Sequence, residues 1–312
     1  MKYVVAMSSF TFRQYKMGVL VLLLALSLCG CSKMNRLPAS IGQPYEVVLE
    51  GDTDSIVANI LTEDVPALPQ PEPMFQIIRV RTGKVTSLYQ TVRNRVVVDV
   101  DRRNRGYETI VKRNINASPQ TIVYIKAQNA GQLKAKLDAG KLRRLLDKVE
   151  IEHLAALIKP NSEKQKEVEN LFGIEMKIPK EMDAGKKAKN FVWFSNNATS
   201  GMKNLMVFKV EKTGQVSLKQ QVDSMLRTNM PGETDGMFMV IPKLSERGLW
   251  EMEGDAMGGP YVMKTIEKKR DLVVVIGFVY APEMKKKNLI KQLEAVISTI
   301  KEEKNNKKTA HS

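Results

Sequence analysis

The sequence predicts an α+β protein built from two modules of mainly antiparallel sheet with packed helices. Short segments in which apolar and polar residues alternate recur along the chain, a pattern typical of strands. Segments with apolar residues at helical spacing stand between them, and Pro160 ends the longest one. A chain of 312 residues is long enough for two domains. We therefore expect an N-terminal module at 44–160 and a C-terminal module at 161–304.

The N-terminal module is predicted to contain five strands. Its first strand is bounded by Pro44 and Gly51, which commonly end strands. Prolines between Asp64 and Pro73 predict an extended, semi-rigid loop. Leucines then recur at helical spacing, and Gly140 is expected to divide this segment into two helices. The predicted elements are strand Tyr45–Glu50, helix Asp52–Thr62, strand Phe75–Arg81, helical turn Ser87–Val92, strands Arg95–Asp101, Tyr107–Lys112 and Thr121–Ala127, and the helical segment Leu133–Leu157.

The C-terminal module begins and ends with predicted helices. Ser162 with Gln165, and Ser217 with Gln220, have the spacing of a capping box at a helix start. The segment Leu272–Tyr280 is almost entirely apolar, as expected for a strand covered on both faces. Pro282 precedes the last helix, whose predicted core stripe includes Leu293. The other predicted strands are Ile174–Pro179, Asn190–Ser195, Asn204–Glu211, Gly236–Pro242, Gly248–Glu253 and Tyr261–Glu267.

The C-terminal module resembles a known small fold. Its strand ending in Ile-Pro, its antiparallel strands and its closing helix are similar to the α/β/α sandwich shared by photosystem accessory and Ran-binding proteins. The resemblance implies helices on both faces of the sheet, and as a fold analogy it implies no function.

The start of the chain predicts export. Arg13 and Lys16 precede the apolar run Met17–Leu28, whose 12 residues are fewer than the roughly 20 that a spanning helix needs. This arrangement is typical of a secretory signal peptide, here residues 1–30. The ending Leu28-Cys29-Gly30-Cys31 resembles the lipobox of bacterial lipoproteins. That resemblance implies cleavage after Gly30 and acylation of Cys31, while an ordinary signal peptide with two incidental cysteines is the alternative.

An acylated Cys31 would anchor the mature protein stably, because it carries more than one acyl chain. Ser32 follows the cysteine, and by resemblance to Gram-negative sorting rules this favours the outer membrane, facing the periplasm. We expect the polar residues 31–43 to form a tether and residues 305–312 to form a disordered tail. No cysteine follows Cys31, so the fold is expected to depend on its core rather than on disulfides.

The chain is basic, with a formal net charge of +15. A basic protein often binds nucleic acid, but the predicted export signal argues against that partner. Anionic lipid, a glycan phosphate or an acidic envelope protein are the partners that fit this charge. A solvated basic surface without a partner is the alternative.

Several motifs resemble a family of uncharacterised lipoproteins of Gram-negative bacteria, and the resemblance spans nearly the whole mature chain. They include the long motif Arg247–Tyr261 and the segment Gly277–Pro282. The resemblance implies no reaction, because that family has no assigned activity. The other matching segments are Leu37-Pro38, Gly42–Glu46, Asn190–Trp193 and Gln292–Val296.

The long motif also supplies the candidate binding surface. Gly258-Gly259-Pro260 is expected to form a tight turn or bulge, which would let a ligand approach the backbone. Trp250 and Trp193 are expected to pack in the core, with glycan stacking as the alternative. The surface comprises Arg247, Trp250, Gly258, Gly259, Pro260 and Tyr280.

No catalytic residue, metal ligand or cofactor site is predicted. The chain has two histidines, of which His153 lies on an apolar helix face and His311 in the tail. Glu251 and Glu253 would point to one side of a strand, which allows a cation site or an acid–base pair, but an exposed acidic edge is the simpler interpretation.

The first functional hypothesis is therefore a lipid-anchored, non-enzymatic interaction or scaffold protein. The second is a carrier that holds a lipid or glycan between the modules, near Trp250. The third is a hydrolase that uses carboxylates.

Overall fold

The computed structural model describes residues 36–212 and 214–301. The described residues from Ala39 onward belong to one compact unit that contains both predicted modules. The predicted signal peptide, Cys31 and the predicted tail lie outside the described residues.

The N-terminal module contains a five-stranded sheet and four helices, as the α+β prediction requires. Its strands are β1 (Glu46–Glu50), β2 (Gln76–Val80), β3 (Asn94–Val100), β4 (Glu108–Arg113) and β5 (Thr121–Ala127), and its helices are α1 (Ile56–Leu61), α2 (Ser87–Gln90), α3 (Ala130–Lys136) and α4 (Ala139–Leu157).

The N-terminal sheet is mixed, and this differs from the predicted antiparallel pairing. Its order is β2-β1-β3-β5-β4. The pairs β1–β2, β1–β3 and β3–β5 are parallel, and only the edge strand β4 runs antiparallel, beside β5. Parallel neighbours require a crossover connection. The helices α1 and α2 provide crossovers, but α2 is only four residues long and its sequence signal is correspondingly weak.

One face of this sheet forms the core of the module. Val47, Leu49, Val96, Val98 and Val123 point to this face and are almost fully buried. They pack against α1, α3 and α4 through Val57, Leu133, Leu142 and Leu146. The N-cap of α4 is Asp138, whose side chain accepts a hydrogen bond from the Lys141 N–H. The predicted break at Gly140 therefore falls two residues earlier.

The C-terminal module contains a seven-stranded antiparallel sheet in the order β6-β7-β8-β12-β11-β10-β9. Its strands are β6 (Ala184–Ala188), β7 (Phe191–Ser195), β8 (Met202–Glu211), β9 (Met239–Val240), β10 (Arg247–Met252), β11 (Gly258–Glu267) and β12 (Asp271–Tyr280), and its helices are α5 (Ser162–Phe172), α6 (Leu218–Asn229) and α7 (Lys287–Ser298).

Helices cover both faces of this sheet, as the predicted α/β/α sandwich requires. On β8 and β12, neighbouring residues alternate between the two faces. Val207 and Val275 face α5 and α7, while Phe208 and Val274 face α6. The central strand β12 is buried along almost its whole length because each face carries its own helical layer.

Two local predictions for this module are wrong. The segment Ile174–Pro179 is not a strand: it runs extended across the helical face and makes only isolated bridges at Glu175 and Pro179. Ile174, Met176 and Ile178 are buried there, which produces the alternation that predicted a strand. The edge strand β6 was missed because its sequence, AGKKA, has no apolar alternation.

The two predicted capping boxes had different outcomes. The Ser217–Gln220 box is present at the start of α6. At α5 the cap is Asn161, one residue earlier, and its side chain accepts a hydrogen bond from the Lys164 N–H.

The modules meet where α4 packs against α7. Lys291 on α7 is 1% exposed, and its ammonium group lies 2.9 Å from Asp147 Oδ1 on α4 and 2.9 Å from Glu294 Oε2. The Tyr45 hydroxyl donates to the same Asp147 oxygen at 2.8 Å. Burial and the neighbouring carboxylate of Asp147 raise the pKa of Tyr45 far above its usual value, so the phenol keeps its proton.

The start of α7 is also completed by the N-terminal module. Glu72, at the end of the proline-rich loop, is buried and accepts hydrogen bonds from the backbone N–H groups of Lys286 and Lys287. The Lys287 ammonium group donates to the carbonyl oxygens of Pro73 and Met74. A carboxylate at a helix N-terminus is favourable, so Glu72 offsets the cations that oppose the helix dipole there.

Glu150 on α4 is the centre of a second buried polar cluster. Its carboxylate accepts hydrogen bonds from Arg93 Nε at 3.0 Å, Asn94 Nδ2 at 2.7 Å and the Tyr45 N–H at 3.1 Å. Arg93 is 4% exposed and Glu150 is fully buried. This cluster attaches α4 to the starts of β1 and β3.

Replacing Glu150 with alanine is expected to lower the free energy of unfolding by about 3–5 kcal/mol, because it leaves the Arg93 guanidinium buried without its carboxylate. Glu152→Ala is the matched control, since Glu152 lies on the same helix and pairs only with exposed Lys148. The control is expected to change stability by about 0.5 kcal/mol or less. Urea denaturation of both variants measures the difference, and equal losses would contradict the role assigned to Glu150.

Candidate functional site

A cleft lies between the modules. Its volume is about 490 Å³, within the range of roughly 300–1,000 Å³ that is common for ligand pockets. The end of α4, the segment 179–182 and one side of α7 form its walls. The apolar lining consists of Leu154, Leu157, Ile158, Pro179, Met182, Leu293 and Val296.

The cleft exists because α4 continues past the N-terminal core. Leu142 and Leu146 are buried in the core that α4 shares with the module's own sheet. Farther along the same helix, Leu154 is half-buried and Leu157 is 61% exposed. Leu154 still packs against the N-terminal core, whereas Leu157 in the last turn of α4 faces the open space of the cleft.

Lysines stand around the apolar lining. Lys159 and Lys180 are exposed at the rim. Lys203 is 12% exposed, and its ammonium group lies 3.1 Å from Glu181 Oε1 and 2.6 Å from Gln292 Oε1. An apolar groove with cations at its opening suits a molecule that has an apolar part and an anionic end.

The six residues of the predicted binding surface occupy β10, β11 and β12. Trp250 is 4% exposed, and its indole N–H donates to the Val279 carbonyl oxygen at 3.1 Å. Its ring packs edge-on against Phe278 at 5.2 Å and lies 6.3 Å from Tyr280. Trp250 thus packs in the core, and the cleft lining does not include it. The half-buried Trp193 donates to Asn204 Oδ1.

Gly258, Gly259 and Pro260 are strand residues rather than a turn. They begin β11 and pair with Glu251, Trp250 and Leu249 of β10, respectively. A Cβ atom at Gly259 would lie 2.1 Å from the Val279 carbonyl oxygen and 3.1 Å from Trp250 Nε1. The absence of a side chain at Gly259 therefore allows the Trp250–Val279 hydrogen bond to form.

Arg247 and Tyr280 lie at the ends of strands, and both are partly exposed. Arg247 Nη1 lies 3.2 Å from Glu294 Oε1, and Glu294 in turn binds Lys291. Arg247 therefore extends the polar contacts of the module junction.

The candidate carboxylates form no enclosed site. Glu251, Glu253 and Asp255 are all exposed, and none of them lines a described cavity. Within the described ranges, no group of three or more His, Cys, Asp and Glu side chains could hold a metal ion. His153 is half-buried, and burial together with nearby Arg93 lowers its pKa below the usual value.

Two smaller cavities lie in the N-terminal module. One of about 400 Å³ lies at the ends of β1 and β2 and includes Gly51, Asp52 and Arg79. Asp52 accepts hydrogen bonds there from the Val57 and Ala58 N–H groups, so its carboxylate is occupied. The other, of about 290 Å³, lies between β4 and α4.

No helix in the part of the chain described is both long and apolar enough to cross a membrane.

The two modules match two family models. Residues 40–159 match a domain of unknown function, DUF8532. Residues 161–299 match a second domain of unknown function, DUF4837. No curated protein and no solved structure matches the chain.

Gly259→Ala is expected to lower the free energy of unfolding by about 1–3 kcal/mol, because the added methyl group must displace Val279 or Trp250. The control is Gly140→Ala in α4, where the added Cβ would meet the flexible side chain of Arg144 at 2.9 Å and Asp138 Oδ1 at an ordinary contact distance of 3.5 Å. Chemical denaturation followed by tryptophan fluorescence measures both variants. An unchanged midpoint for Gly259→Ala would contradict the packing described for Trp250.

Proposed function

We propose that this chain, whose modules belong to two domain families of unknown function, is a lipid-anchored envelope protein that holds an amphipathic, anionic ligand in the cleft between its modules. The observation that carries the proposal is the cleft itself: seven apolar residues line it, together with Lys159, Lys180 and Lys203. Lys203 is paired with Glu181, so Lys159 and Lys180 are the cations that would face an anionic group. An acyl chain with an acidic end has the matching chemistry, since its apolar part would cover the exposed Leu157.

The anchor rests on the lipobox-like ending at Cys31. In this proposal the acyl chains hold the protein at the outer membrane, on the periplasmic side. The anchor and the cleft are compatible functions, because a protein fixed at a bilayer is close to a source of acyl ligands.

The fixed geometry of the cleft supports binding without large rearrangement. Its two long walls are α4 and α7, whose packing is held by the buried contacts of Lys291 with Asp147 and Glu294. A pocket between rigid helices loses little conformational entropy when it binds a ligand. Only long side chains at the rim, such as Lys159 and Lys180, have to be ordered by the ligand.

A charge placed in the apolar wall is expected to abolish acyl binding. Leu157→Asp should weaken the binding of cis-parinaric acid, a fluorescent fatty acid, by at least about tenfold, since a carboxylate would face the acyl chain. Leu249→Asp is the matched control, because Leu249 is 44% exposed on β10 and lies outside the cleft lining. Equal affinity of the two variants, or no binding by the unmodified protein, would contradict the proposal.

A scaffold function without a small ligand is the second candidate. It is favoured by the large exposed fraction of Leu157, since a leucine on the rim of an open groove can also contact another protein. In that case the cleft would receive an apolar side chain of an envelope partner.

A photoreactive amino acid at position 157 distinguishes the two candidates in living cells. A ligand carrier is expected to give an adduct with the mass of a lipid, whereas a scaffold is expected to give one stoichiometric protein adduct. The same amino acid at position 249 is the control, and adducts of equal yield at both positions would argue against either function for the cleft.

A further inference from the structure

Exposed apolar side chains lie around the point where the predicted tether joins the N-terminal module. Ile41, Leu88 and Ile115 are 36%, 61% and 50% exposed. They come from three separate segments: residues 39–43, helix α2 with the residues around it, and the loop between β4 and β5. Single exposed apolar residues are common on proteins, so their mutual position decides whether they have a meaning.

Hydrogen bonds hold these three segments together. Ala39 and Ile41 form parallel bridges with Ser118 and Val92, and the Ile41 N–H donates to the Thr91 carbonyl oxygen at 3.1 Å. Thr91 is in turn bonded to the Leu88 carbonyl oxygen through both its N–H and its hydroxyl group.

Gln120 attaches the loop that carries Ile115. Its buried amide group donates to the carbonyl oxygens of Gln90 and Val92, at 2.6 and 2.9 Å. Its Oε1 accepts a hydrogen bond from the N–H of Asn116, next to Ile115. We call the three linked segments, residues 39–43, 84–93 and 112–120, the tether rim.

The charge of the tether rim has one sign. It contains four basic residues and no Asp or Glu. Arg93 is buried against Glu150, but Lys84, Lys112 and Arg113 are exposed. Exposed apolar side chains beside exposed cations are the composition of surfaces that rest on anionic lipid. The carboxylate of Glu46, which is outside the three segments, lies close to Gly42.

The chain can bring the tether rim to a bilayer. Ala39 is the eighth residue after Cys31. A fully extended chain covers about 3.3–3.6 Å per residue, so the distance from Cys31 to Ala39 is at most about 29 Å. An acyl anchor at Cys31 would therefore keep the tether rim near the membrane surface.

We infer that the tether rim is a membrane-contacting surface that inserts Ile41, Leu88 and Ile115 into the headgroup region of an anionic bilayer. This inference rests on the proposed anchor at Cys31. The anchor supplies proximity, and the tether rim then sets the orientation of the protein. Each exposed cation is expected to contribute about fivefold to the preference for an anionic surface.

The test uses the full-length protein, expressed with its leader and reconstituted in vesicles. A thiol-reactive fluorophore is attached at Leu88→Cys, at Ile115→Cys and, as control, at Val216→Cys, where the C-terminal module exposes 46% of a valine. The chain has two cysteines of its own, Cys29 and Cys31. Processing as proposed removes the first and acylates the second, so the introduced thiol is the one that reacts. The vesicles contain spin-labelled lipid and either phosphatidylglycerol or only neutral lipid.

Several-fold stronger quenching of the probes at positions 88 and 115 than of the probe at 216, most pronounced in anionic vesicles, is the expected result. If the intact mass includes the acyl chains but quenching is equal at all three positions, the membrane contact of the tether rim is overturned and the anchor at Cys31 is not. A mass without acyl chains would overturn the anchor and the inference with it. Blue-shifted probes that lipid does not quench would indicate a second protein copy and would also overturn the inference. Equal quenching in neutral and anionic vesicles would contradict the part assigned to the cations.

Discussion

The architecture depends on one buried contact, in which Lys291 of α7 meets Asp147 of α4. An ammonium group that is 1% exposed is tolerated only where carboxylates surround it, and here Asp147 and Glu294 both do so. Because Asp147 also accepts the Tyr45 hydroxyl, the contact extends to the start of β1. The two helices that carry these groups are also the walls of the cleft, so the same contact that joins the modules fixes the width of the site.

The position of α7 connects the fold with this site. One side of the helix completes the core of the C-terminal sheet through residues such as Leu293. Another side carries Lys291 to the N-terminal module, and its start is capped by Glu72. Because α7 makes packing or hydrogen-bond contacts on several sides, it has little freedom to move. This explains how a cleft with an apolar lining stays open rather than collapsing.

The sequence was informative wherever a signal is local. Alternation predicted most strands, and the Ser217 cap and the α+β class were confirmed. The predicted resemblance to uncharacterised proteins is supported by the matches to two domains of unknown function. Pairing direction was not predicted correctly for the N-terminal sheet, because the residues of β1 and β3 do not encode which way their neighbours run. The segment Ile174–Pro179 was wrongly predicted as a strand, because a chain lying on an apolar surface alternates like a strand.

The cleft was missed for a similar reason: Leu157 continues the apolar stripe of α4, and the stripe alone does not say that the core ends before it. The predicted surface around Trp250 combined glycines and a tryptophan that are indeed close in space. Gly259, however, leaves room for the buried Trp250 ring and its hydrogen bond to Val279.

The cap that Glu72 provides has a consequence for the division of the chain into domains. Family models divide the chain near residue 160, yet a carboxylate from the first half closes the last helix of the second. Glu72 precedes α7 by more than 200 residues, so the acceptor for the final helix comes from a distant part of the chain. If the second half were expressed alone, Lys285, Lys286 and Lys287 would stand at the start of α7 without the carboxylate of Glu72 to oppose their charge. The segment that the second family match covers therefore lacks one contact that its last helix has in the whole chain.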